Sequence, residues 1–346
     1  MQSPKQDIRA LSLDEIMPIF VSLGQQKFRA KQVYEWLWKK SAHSFDEMTN
    51  LSKELRETLN NNFAINNVIV EKKQVSNDGT IKSRFQLHDN YFVEGVLIPD
   101  GERMTACVSS QVGCSLACTF CATGKMDRMR NLHADEIYDQ VVHIRNQALQ
   151  HHGRPLSNIV FMGMGEPLLN YKNVMAGIEK ITSPDGLGMA ASRITVSTAG
   201  VAKMIKKLGD DAARFNLALS LHAASDEKRD KIMNVNETNN LEILGEALRY
   251  FYQKTGSRIT FEYIVFDNFN DSLEDAENLY QFSRNVPCKI NLIEYNPIGD
   301  GMYENASIAK IDQFQQFLQS RGVIVTVRRS RGKDIDAACG QLANKE

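Results

Sequence analysis

The chain has 346 residues, 42% of them hydrophobic and 24% charged, which corresponds to about two domains with full cores of their own. Its 21 glycines and 8 prolines exclude collagen-like and Pro/Gly-rich disordered chains, and no apolar run reaches the roughly 18 residues that a membrane span needs. The net charge of −1 gives no sign of a nucleic-acid partner, so any RNA binding must come from local basic patches. The first residues lack the basic and apolar regions of a secretory signal, so we expect a cytoplasmic protein.

Residues 1–62 are predicted to form a small helical accessory domain. Val33, Trp36 and Leu37 repeat at the spacing of one helix face, and residues 51–63 show a similar pattern. The basic residues of this segment are interpreted either as a face that binds RNA or as an ordinary solvated surface. They are Lys27, Arg29, Lys31, Lys39 and Lys40.

Residues 63–100 differ in character and are predicted to form a β-rich linker. The stretch from 66 to 99 is rich in strand-forming residues and contains the turn sequence Asn77-Asp78-Gly79. We expect it to join the helical domain to the larger domain that follows.

Residues 101–333 alternate between strand and helix patterns, which is typical of a parallel sheet covered by helices. The units fit a doubly wound sheet or a complete or partial βα barrel, and in each of these folds the active site lies at the carboxyl ends of the strands. The predicted strands lie near 107–113, 159–162, 193–198, 215–221, 258–266, 289–294 and 323–328. The predicted helices lie near 135–150, 172–181, 201–208, 241–254, 273–284 and 308–320.

Three of the six cysteines form a tight group at the end of the first predicted barrel strand. Cys114, Cys118 and Cys121 have the spacing C-x3-C-x2-C, and in a reducing cytosol such a group indicates metal binding or catalysis rather than disulfides. Three thiolates can hold three corners of a cubic iron–sulfur cluster and leave one iron open to a substrate. A structural zinc site would need a fourth ligand, and Cys107 and His133 both lie outside the usual spacing. The pattern is typical of radical S-adenosylmethionine (SAM) enzymes.

Polar residues follow four of the later predicted strands, where they could hold SAM. The turn at 163–167 contains glycines that let the backbone approach a ligand closely, and its Glu166 can accept a hydrogen bond from an ammonium group. One such cluster is weak evidence, since a glycine-rich turn after a strand is usually only a turn. Four clusters at the same end of the sheet indicate a ligand site, and the other three are Ser197-Thr198, Ser220-Leu221-His222 and Asn296-Pro297.

The remaining cysteines stand alone in the sequence. A lone cysteine is usually a small buried hydrophobic residue, and Cys288, inside an apolar strand, fits that description. Cys339 follows the last strand in a loop of small residues, which could carry a thiol to the mouth of a barrel, so both interpretations stay open. Cys107 precedes the cysteine triplet by seven residues.

Several motifs together resemble the radical SAM adenine carbon-2 methyltransferases of 23S rRNA and tRNA, the RlmN type. The resemblance runs from about Glu94 to Leu342 and is weaker over the helical N-terminal residues. The last of its motifs is highly specific. The motifs are CVSSQVGCSLACTFCATGK, FMGMGEPLLN, TVSTAG, SLHA, CKINLIEYNP and RGKDIDAACGQL.

The resemblance implies a partial (β/α)6 barrel that is open, with a C-terminal loop at 334–346 that carries Cys339. It implies a [4Fe–4S] cluster on Cys114, Cys118 and Cys121, to which SAM binds through its amino and carboxylate groups. It assigns the SAM contacts to Gly165, Glu166, Ser197, Ser220, Leu221, His222 and Asn296.

The resemblance also implies a reaction. The cysteine matching Cys339 is methylated by one SAM, and a second SAM is cleaved to a 5′-deoxyadenosyl radical that takes a hydrogen from that methyl group. The carbon radical adds to carbon 2 of adenine, and the thiol matching Cys107 then releases the RNA by forming a disulfide with Cys339. The glutamate matching Glu94 is the proton acceptor. The implied targets are adenosine 2503 of 23S rRNA and adenosine 37 of certain tRNAs.

General chemistry agrees with this division of roles. Carbon 2 of adenine is electron-poor, so polar methyl transfer from SAM would fail and radical chemistry from the cofactor is needed. A cysteine thiolate is a good nucleophile for the first methyl group, and release of the product needs a second thiol within reach. The family expectation includes a flavodoxin or ferredoxin as electron donor, and a monomer is our expectation for the oligomeric state.

Two other functions stay open at this point. The sibling enzyme that methylates carbon 8 of the same rRNA adenosine is the nearer one, although Pro167 and the motif around Cys339 look more like the carbon-2 type. A non-catalytic RNA-binding module with zinc or a cluster is the other. Asn234-Val235-Asn236 stands where the family commonly has Pro-Ile-Asn, which changes a loop. Candidate phosphate contacts are Lys125, Arg128, Arg130, Arg328, Arg329, Arg331 and Lys333.

Overall fold

The computed structural model describes residues 5–345, so residues 1–4 and 346 of the predicted terminal segments lie outside the described residues. The N-terminal part is helical, as predicted. Helix α1 begins with a capping box, in which the Ser12 hydroxyl accepts a hydrogen bond from the Glu15 amide and the Glu15 carboxylate accepts one from the Ser12 amide at 2.7 Å. The elements are strand β1 (Gln6–Asp7), helices α1 (Leu13–Ser22), α2 (Lys27–Trp38) and α3 (Lys53–Asn62), and strand β2 (Phe63–Ala64), which pairs in parallel with β1.

Three antiparallel strands follow in the predicted linker: β3 (Ile69–Val75), β4 (Ile81–Gln86) and β5 (Phe92–Asp100). The predicted turn lies between the first two, where Gly79 has a φ of 83°, a conformation that favours glycine. Strand β5 pairs with the first strand of the next segment, so the linker and the barrel share one sheet.

The residues after the linker form the parallel part of this sheet and its covering helices. The strands are β6 (Arg103–Cys107), β7 (Gln111–Val112), β8 (Arg130–Asn131), β9 (Asn158–Phe161), β10 (Ile194–Thr198), β11 (Asn216–Ser220), β12 (Ile259–Val265), β13 (Cys288–Glu294) and β14 (Val325–Arg328). The helices are α4 (Ala134–His152), α5 (Tyr171–Thr182), α6 (Ala202–Asp210), α7 (Asp226–Ile232), α8 (Leu241–Thr255), α9 (Leu273–Ser283) and α10 (Ile308–Ser320).

Within residues 5–345, the main sheet has ten strands in the order β14-β13-β12-β11-β10-β9-β6-β5-β4-β3. From β6 onward the neighbours are parallel, and every step from one parallel strand to the next passes through at least one helix. Among the described strands the order ends at β3 and β14, which do not pair with each other, so the barrel is open. The expected partial (β/α)6 barrel is therefore confirmed, and the closed alternative is not.

The first predicted barrel strand is displaced in the structure. The pattern predicts it near 107–113, but β6 ends at Cys107, and the separate strand β7 pairs antiparallel with β8. The chain leaves the sheet because the next amides find other partners: Ser109 donates to the Gln140 side chain at 2.9 Å, and Ser110 donates to the Met164 carbonyl oxygen at 2.8 Å. Helix α7 is absent from the sequence prediction, because its residues DEKRDKI are mostly charged and show little apolar periodicity.

The main hydrophobic core contains residues from all parts of the described chain. One connected cluster of buried apolar side chains extends from Ile8 to Leu342, and a smaller cluster around Phe120 packs against Cys118 and Cys121. Because no gap in the core marks the predicted domain limits at 62, 100 and 333, these limits stay predictions. Among residues 5–345, no helix combines the length and apolar character needed to cross a membrane.

Candidate active site

An open pocket lies at the carboxyl ends of the parallel strands, the edge where the sequence predicts the active site, and its space of about 990 Å³ includes volume open to solvent. Residues at the ends of β9, β10 and β11 form one wall, among them Gly163, Ser197 and Ser220. The loop that carries the three cysteines and Cys339 of the C-terminal loop border the same space. The fold thus brings together residues that lie more than two hundred positions apart in the sequence.

The cysteine loop at 114–121 presents all three predicted ligands to the cavity. Its turn is tight, because the Cys121 amide donates to the Cys118 carbonyl oxygen at 3.2 Å. Gly124 follows at a position where a Cβ atom would lie 2.6 Å from that same oxygen, so only glycine fits. Burial raises the pKa of Cys114 to about 11, and burial together with the neighbouring thiols raises the pKa of Cys118 further.

This donor set fits an iron–sulfur cluster. Thiols with raised pKa values keep their protons at neutral pH until a bound metal displaces them. Among residues 5–345, no three His, Cys, Asp or Glu side chains converge closely enough to hold a single metal ion. Thiolates on a cluster bind different iron atoms, so they surround a volume rather than a point. Three cysteines facing one cavity therefore suit three corners of a cluster better than one zinc ion.

Gly165 and Glu166 form the turn after β9 and line the cavity. Gly165 has a φ of 93°, and a Cβ atom there would lie 2.5 Å from the Gln111 side chain. The Glu166 carboxylate is buried and accepts hydrogen bonds from the amides of Leu168 at 2.9 Å and Ala199 at 2.7 Å. Burial raises its pKa, and these two amides oppose the shift. The turn thus holds a fixed carboxyl group beside the cysteine loop.

Ser197, Ser220 and His222 line the next part of the wall. The two serine hydroxyls lie 3.2 Å apart across neighbouring strands, which makes them a pair of donors for one anionic group. Nδ1 of His222 accepts a hydrogen bond from the Ile264 amide at 3.1 Å. Burial lowers the pKa of His222 to about 3, so its ring is neutral at physiological pH.

Two predicted SAM contacts stand behind this wall. Neither Leu221 nor Asn296 is among the described residues that line the cavity. Leu221 is fully buried. Asn296 donates from Nδ2 to the carbonyl oxygen of Cys339 at 3.2 Å, so in this structure it holds the backbone of the C-terminal loop.

Cys339 and Cys107 border a second, smaller pocket beside the main cavity. Cys339 is accessible from the cavity and Cys107 is buried. Burial raises the pKa of the Cys107 thiol to about 12. Desolvation by the surrounding protein raises the pKa of the Cys339 thiol, and the positive charge of Arg328 opposes that rise. Cys288 is half-buried on β13 and is absent from the described lining of either space.

Glu94 lies on β5 under the C-terminal residues. Its carboxylate is buried, lies 3.5 Å from the Lys82 ammonium, and accepts hydrogen bonds from the amides of Ala343 at 2.8 Å and Asn344 at 3.1 Å. It is not one of the described residues that line the main cavity.

The structure adds Glu262 and Arg328 to the cavity wall. Their side chains approach to 3.5 Å, and Glu262 also accepts a hydrogen bond from Asn291 at 2.9 Å. Sequence reasoning missed Glu262, although an acid in the otherwise apolar strand β12 was an available signal. The sequence predicts Arg328 as a candidate phosphate contact, and in the structure it lines both the cavity and the space that contains Cys107 and Cys339.

Most of the other basic candidates already have acidic partners. Lys125 pairs with Asp300. Arg130 binds Asp89 at 2.6 Å and Glu136 at 2.7 Å. Any phosphate would compete with these pairs. The further pairs are Arg329 and Lys333 with Glu294, and Arg331 with Asp100.

Two family models match the chain. Residues 6–65 match the ribosomal RNA large subunit methyltransferase N-terminal domain, and residues 108–282 match the radical SAM superfamily. The second match contains the cysteine loop and most of the barrel. Fold and site together define a radical SAM enzyme.

Comparison with known proteins shows which members of the radical SAM class this chain is similar to. The probable dual-specificity RNA methyltransferase RlmN of Cytophaga hutchinsonii is 63% identical over 342 residues, which is 99% of this chain and 94% of the relative. The protein of the same name from Staphylococcus aureus strain Newman is 43% identical over 342 residues, with 99% and 94% covered. A radical SAM methyltransferase from Sphaerobacter thermophilus has a TM-score of 0.92 at 39% identity, covering 98% of this chain and 100% of that one.

The chain belongs to the RlmN family of dual-specificity RNA methyltransferases. It is a SAM-dependent radical methyltransferase, so the resemblance, the fold class and the prediction of an enzyme are confirmed. Membership of the radical SAM superfamily implies a [4Fe–4S] cluster, SAM and a reductant.

Proposed function

We propose that this enzyme methylates carbon 2 of adenosine 2503 in 23S rRNA and of adenosine 37 in tRNAs. The relatives named above carry the dual RNA specificity in their names. One observation supports the detailed reaction most: Cys339 borders both the cavity of the cysteine loop and the small space that contains Cys107. A module that only binds RNA needs neither of these extra thiols.

The proposed ligands divide into two sets. Cys114, Cys118 and Cys121 hold the cluster. When bound, the cluster and SAM supply a one-electron route to a carbon radical, which the electron-poor carbon 2 of adenine requires. Two SAM molecules are used for each methylation. The SAM-binding set is Gly165, Glu166, Ser197, Ser220, Leu221, His222 and Asn296.

Three residues of the chain act on the methyl group and the product. Cys339 accepts the first methyl group, because its thiol is reachable from the cavity and a thiolate is a strong nucleophile. Cys107 resolves the protein–RNA adduct: its sulfur bonds to the Cys339 sulfur while the carbon–sulfur bond to the RNA breaks, and the released carbon takes up the proton that the Cys107 thiol loses. Burial keeps the Cys107 thiol protonated until that step. Glu94 is the proposed proton acceptor.

RNA reaches the cavity as an unstacked base, since the target carbon is inaccessible inside a stack. We propose that the helical domain at 1–62 contributes to RNA binding and that a flavodoxin or ferredoxin supplies the electron. The enzyme acts as a monomer in the cytoplasm, where its RNA substrates are.

Anaerobic reconstitution with iron and sulfide, followed by SAM, reductant and an rRNA fragment, tests this function. We expect 5′-deoxyadenosine and 2-methyladenosine, both measured by mass spectrometry. Formation of 8-methyladenosine instead would identify the carbon-8 sibling. Absence of both products, with a full cluster and competent RNA, would favour the non-catalytic binding module.

The role of Cys107 has a separate test. Cys107→Ala is expected to accept a methyl group on Cys339 and then to accumulate a covalent protein–RNA adduct, visible as a shifted band in a denaturing gel. Release of free methylated RNA by this variant would refute the resolving role.

A further inference from the structure

Arg229, on helix α7, is a fully buried cation behind the wall of the candidate active site. Its guanidinium donates hydrogen bonds to the carbonyl oxygens of Ala199 at 2.6 Å and Leu221 at 3.2 Å. It also donates to Oδ1 of Asn236 at 2.7 Å. The two carbonyl groups follow strands β10 and β11, so Arg229 ties together the ends of two strands that border the cavity.

This charge has no carboxylate partner in the described part of the chain. Its hydrogen-bond acceptors there are all neutral backbone or amide oxygens. The nearby acids Asp226 and Asp230 accept hydrogen bonds from the Asn236 amide group, and among the described hydrogen bonds neither accepts one from Arg229. Burying an unpaired charge is strongly unfavourable, which indicates that an anionic group completes this environment.

The cysteine loop is the neighbour that can supply that negative charge. Helix α7 ends against it, where the Thr119 amide donates to the Ile232 carbonyl oxygen at 3.1 Å. Ala199, whose carbonyl oxygen accepts the hydrogen bond from Arg229, belongs with Ile232 to the hydrophobic cluster against which Cys118 packs. Among the described residues Arg229 is not part of the cavity lining, so it acts through the wall without touching a ligand.

We propose that Arg229 is a positioning residue that supplies the buried positive charge opposite the cluster-bearing loop and thereby makes the cluster easier to reduce. The inference rests on the cluster ligands proposed above. Net charge around an iron–sulfur cluster is one determinant of its reduction potential. A fixed positive charge stabilises the more negative, reduced state, so its removal shifts the midpoint potential to more negative values.

The experiment compares charge variants in the full chain after anaerobic reconstitution. Iron content is measured first, and the midpoint potential then follows from a redox titration monitored by electron paramagnetic resonance. Arg229→Gln keeps hydrogen-bond donors but loses the charge, and we expect a shift of about tenfold in the reduction equilibrium, or about 59 mV for one electron. Arg229→Lys keeps the charge and is expected to stay near the wild-type potential.

Lys228→Gln is the matched control, because it removes a charge from the same helix that is partly exposed and paired with Asp275. Its potential is expected to equal that of the wild type. An unchanged potential in Arg229→Gln overturns the proposal. Equal shifts in Arg229→Gln and Arg229→Lys also overturn it, since hydrogen bonding and not charge would then set the potential.

A second variant keeps the proposal testable if Arg229→Gln takes up no iron. Asp226→Asn preserves an acceptor for Asn236 but removes negative charge near Arg229, so its potential is expected to move to less negative values. No shift in this variant overturns the proposal. Failure of the wild type itself to hold iron would instead contradict the proposed cluster ligands.

Discussion

Cys339 and Cys288 have the same type of side chain but different surroundings. Cys339 lines the cavity of the cysteine loop, whereas the Cys288 thiol donates to the Ser283 carbonyl oxygen at 3.5 Å at the start of β13. We expect Cys339→Ala to keep its iron and to bind SAM but to lose methyl transfer to RNA, because the methyl group has no acceptor. The measurements are iron content, SAM binding and methyladenosine by mass spectrometry.

Cys288→Ala is the matched control for that experiment. It is expected to retain all three properties, since its thiol is outside the described lining of the cavity. Substantial methyladenosine formation by Cys339→Ala would remove Cys339 from the reaction.

His222 gives a pH dependence of stability at the residue scale. Burial lowers its pKa from 6.5 to about 3. Its contribution is therefore fully present above pH 6.5 and is lost as the pH falls towards 3, because the unfolded chain binds a proton that the folded chain excludes. At roughly 1.4 kcal/mol for each pKa unit, the free energy of unfolding should fall by about 2 kcal/mol between pH 6.5 and 5.

His222→Asn is the appropriate comparison. His222 has a φ of 56°, which asparagine tolerates, and asparagine can still accept the hydrogen bond from the Ile264 amide. Urea unfolding of the protein before reconstitution, so that no acid-labile iron contributes, should show a smaller pH effect in the variant. Identical pH effects in both proteins would mean that His222 does not control this loss.

The candidate site could be predicted only in part from the sequence. Cys114, Cys118 and Cys121 are recognisable because their chemistry depends on local spacing. Glu262 escaped prediction because its importance comes from facing Arg328, which lies on another strand. Such pairs depend on how neighbouring strands are aligned in the sheet, which no local sequence pattern determines.

At the scale of elements, a buried charge network attaches the N-terminal segment to helix α4. The Arg9 guanidinium lies 2.8 Å from Asp139 and 3.2 Å from Asp135, and all three side chains are largely buried. Arg9→Ala leaves two buried carboxylates without their cation, and we expect it to cost about 3–5 kcal/mol in the free energy of unfolding. Chemical denaturation of the purified variant measures this loss.

Arg154→Ala provides the control for this element. Arg154 forms an exposed ion pair with Glu102 at 2.9 Å, and its removal should cost less than about 1 kcal/mol. Equal losses of unfolding free energy in Arg9→Ala and Arg154→Ala would show that the buried network stabilises the protein no more than an exposed ion pair does.

Helices with a clear apolar face were predictable, and helices without one were not. The predicted helix at 308–320 coincides with α10, whose buried Ile311, Phe314 and Leu318 repeat at helical spacing. Helix α7 has seven residues, most of them charged. It forms because Ser225 caps its first turn and Arg229 anchors it inward, and these contacts depend on distant strands.

At the scale of the whole molecule, the C-terminal residues connect the linker to the cysteine loop. The Ala122 amide donates to the Gly340 carbonyl oxygen at 2.7 Å, and the Thr123 hydroxyl donates to the Leu342 carbonyl oxygen at 2.6 Å. From the other side, Glu94 of the linker accepts hydrogen bonds from two amides of the same segment. The position of Cys339 therefore depends both on the linker and on the barrel residues that follow the cysteine loop.

This arrangement predicts two separable roles for Glu94. Glu94→Ala removes the acceptor of the Ala343 and Asn344 amides, and loss of charge-assisted hydrogen bonds worth about 1.5–3 kcal/mol should speed amide exchange there at least roughly tenfold. Glu94→Gln keeps an acceptor oxygen but cannot serve as a proton acceptor at neutral pH. We expect it to hold the segment nearly as the wild type does and to lose RNA methylation.

Hydrogen–deuterium exchange of the C-terminal peptide, measured beside methyladenosine formation, distinguishes the two roles. Glu71→Ala is the control, since Glu71 is an acid of the same linker that pairs with Arg84 at 2.6 Å near the surface. Full methylation by Glu94→Gln would leave Glu94 with a purely structural role. Wild-type rates of amide exchange in Glu94→Ala would show that the contacts with Ala122 and Thr123 are enough to hold the C-terminal segment. Any loss of methylation in that variant would then reflect proton transfer alone.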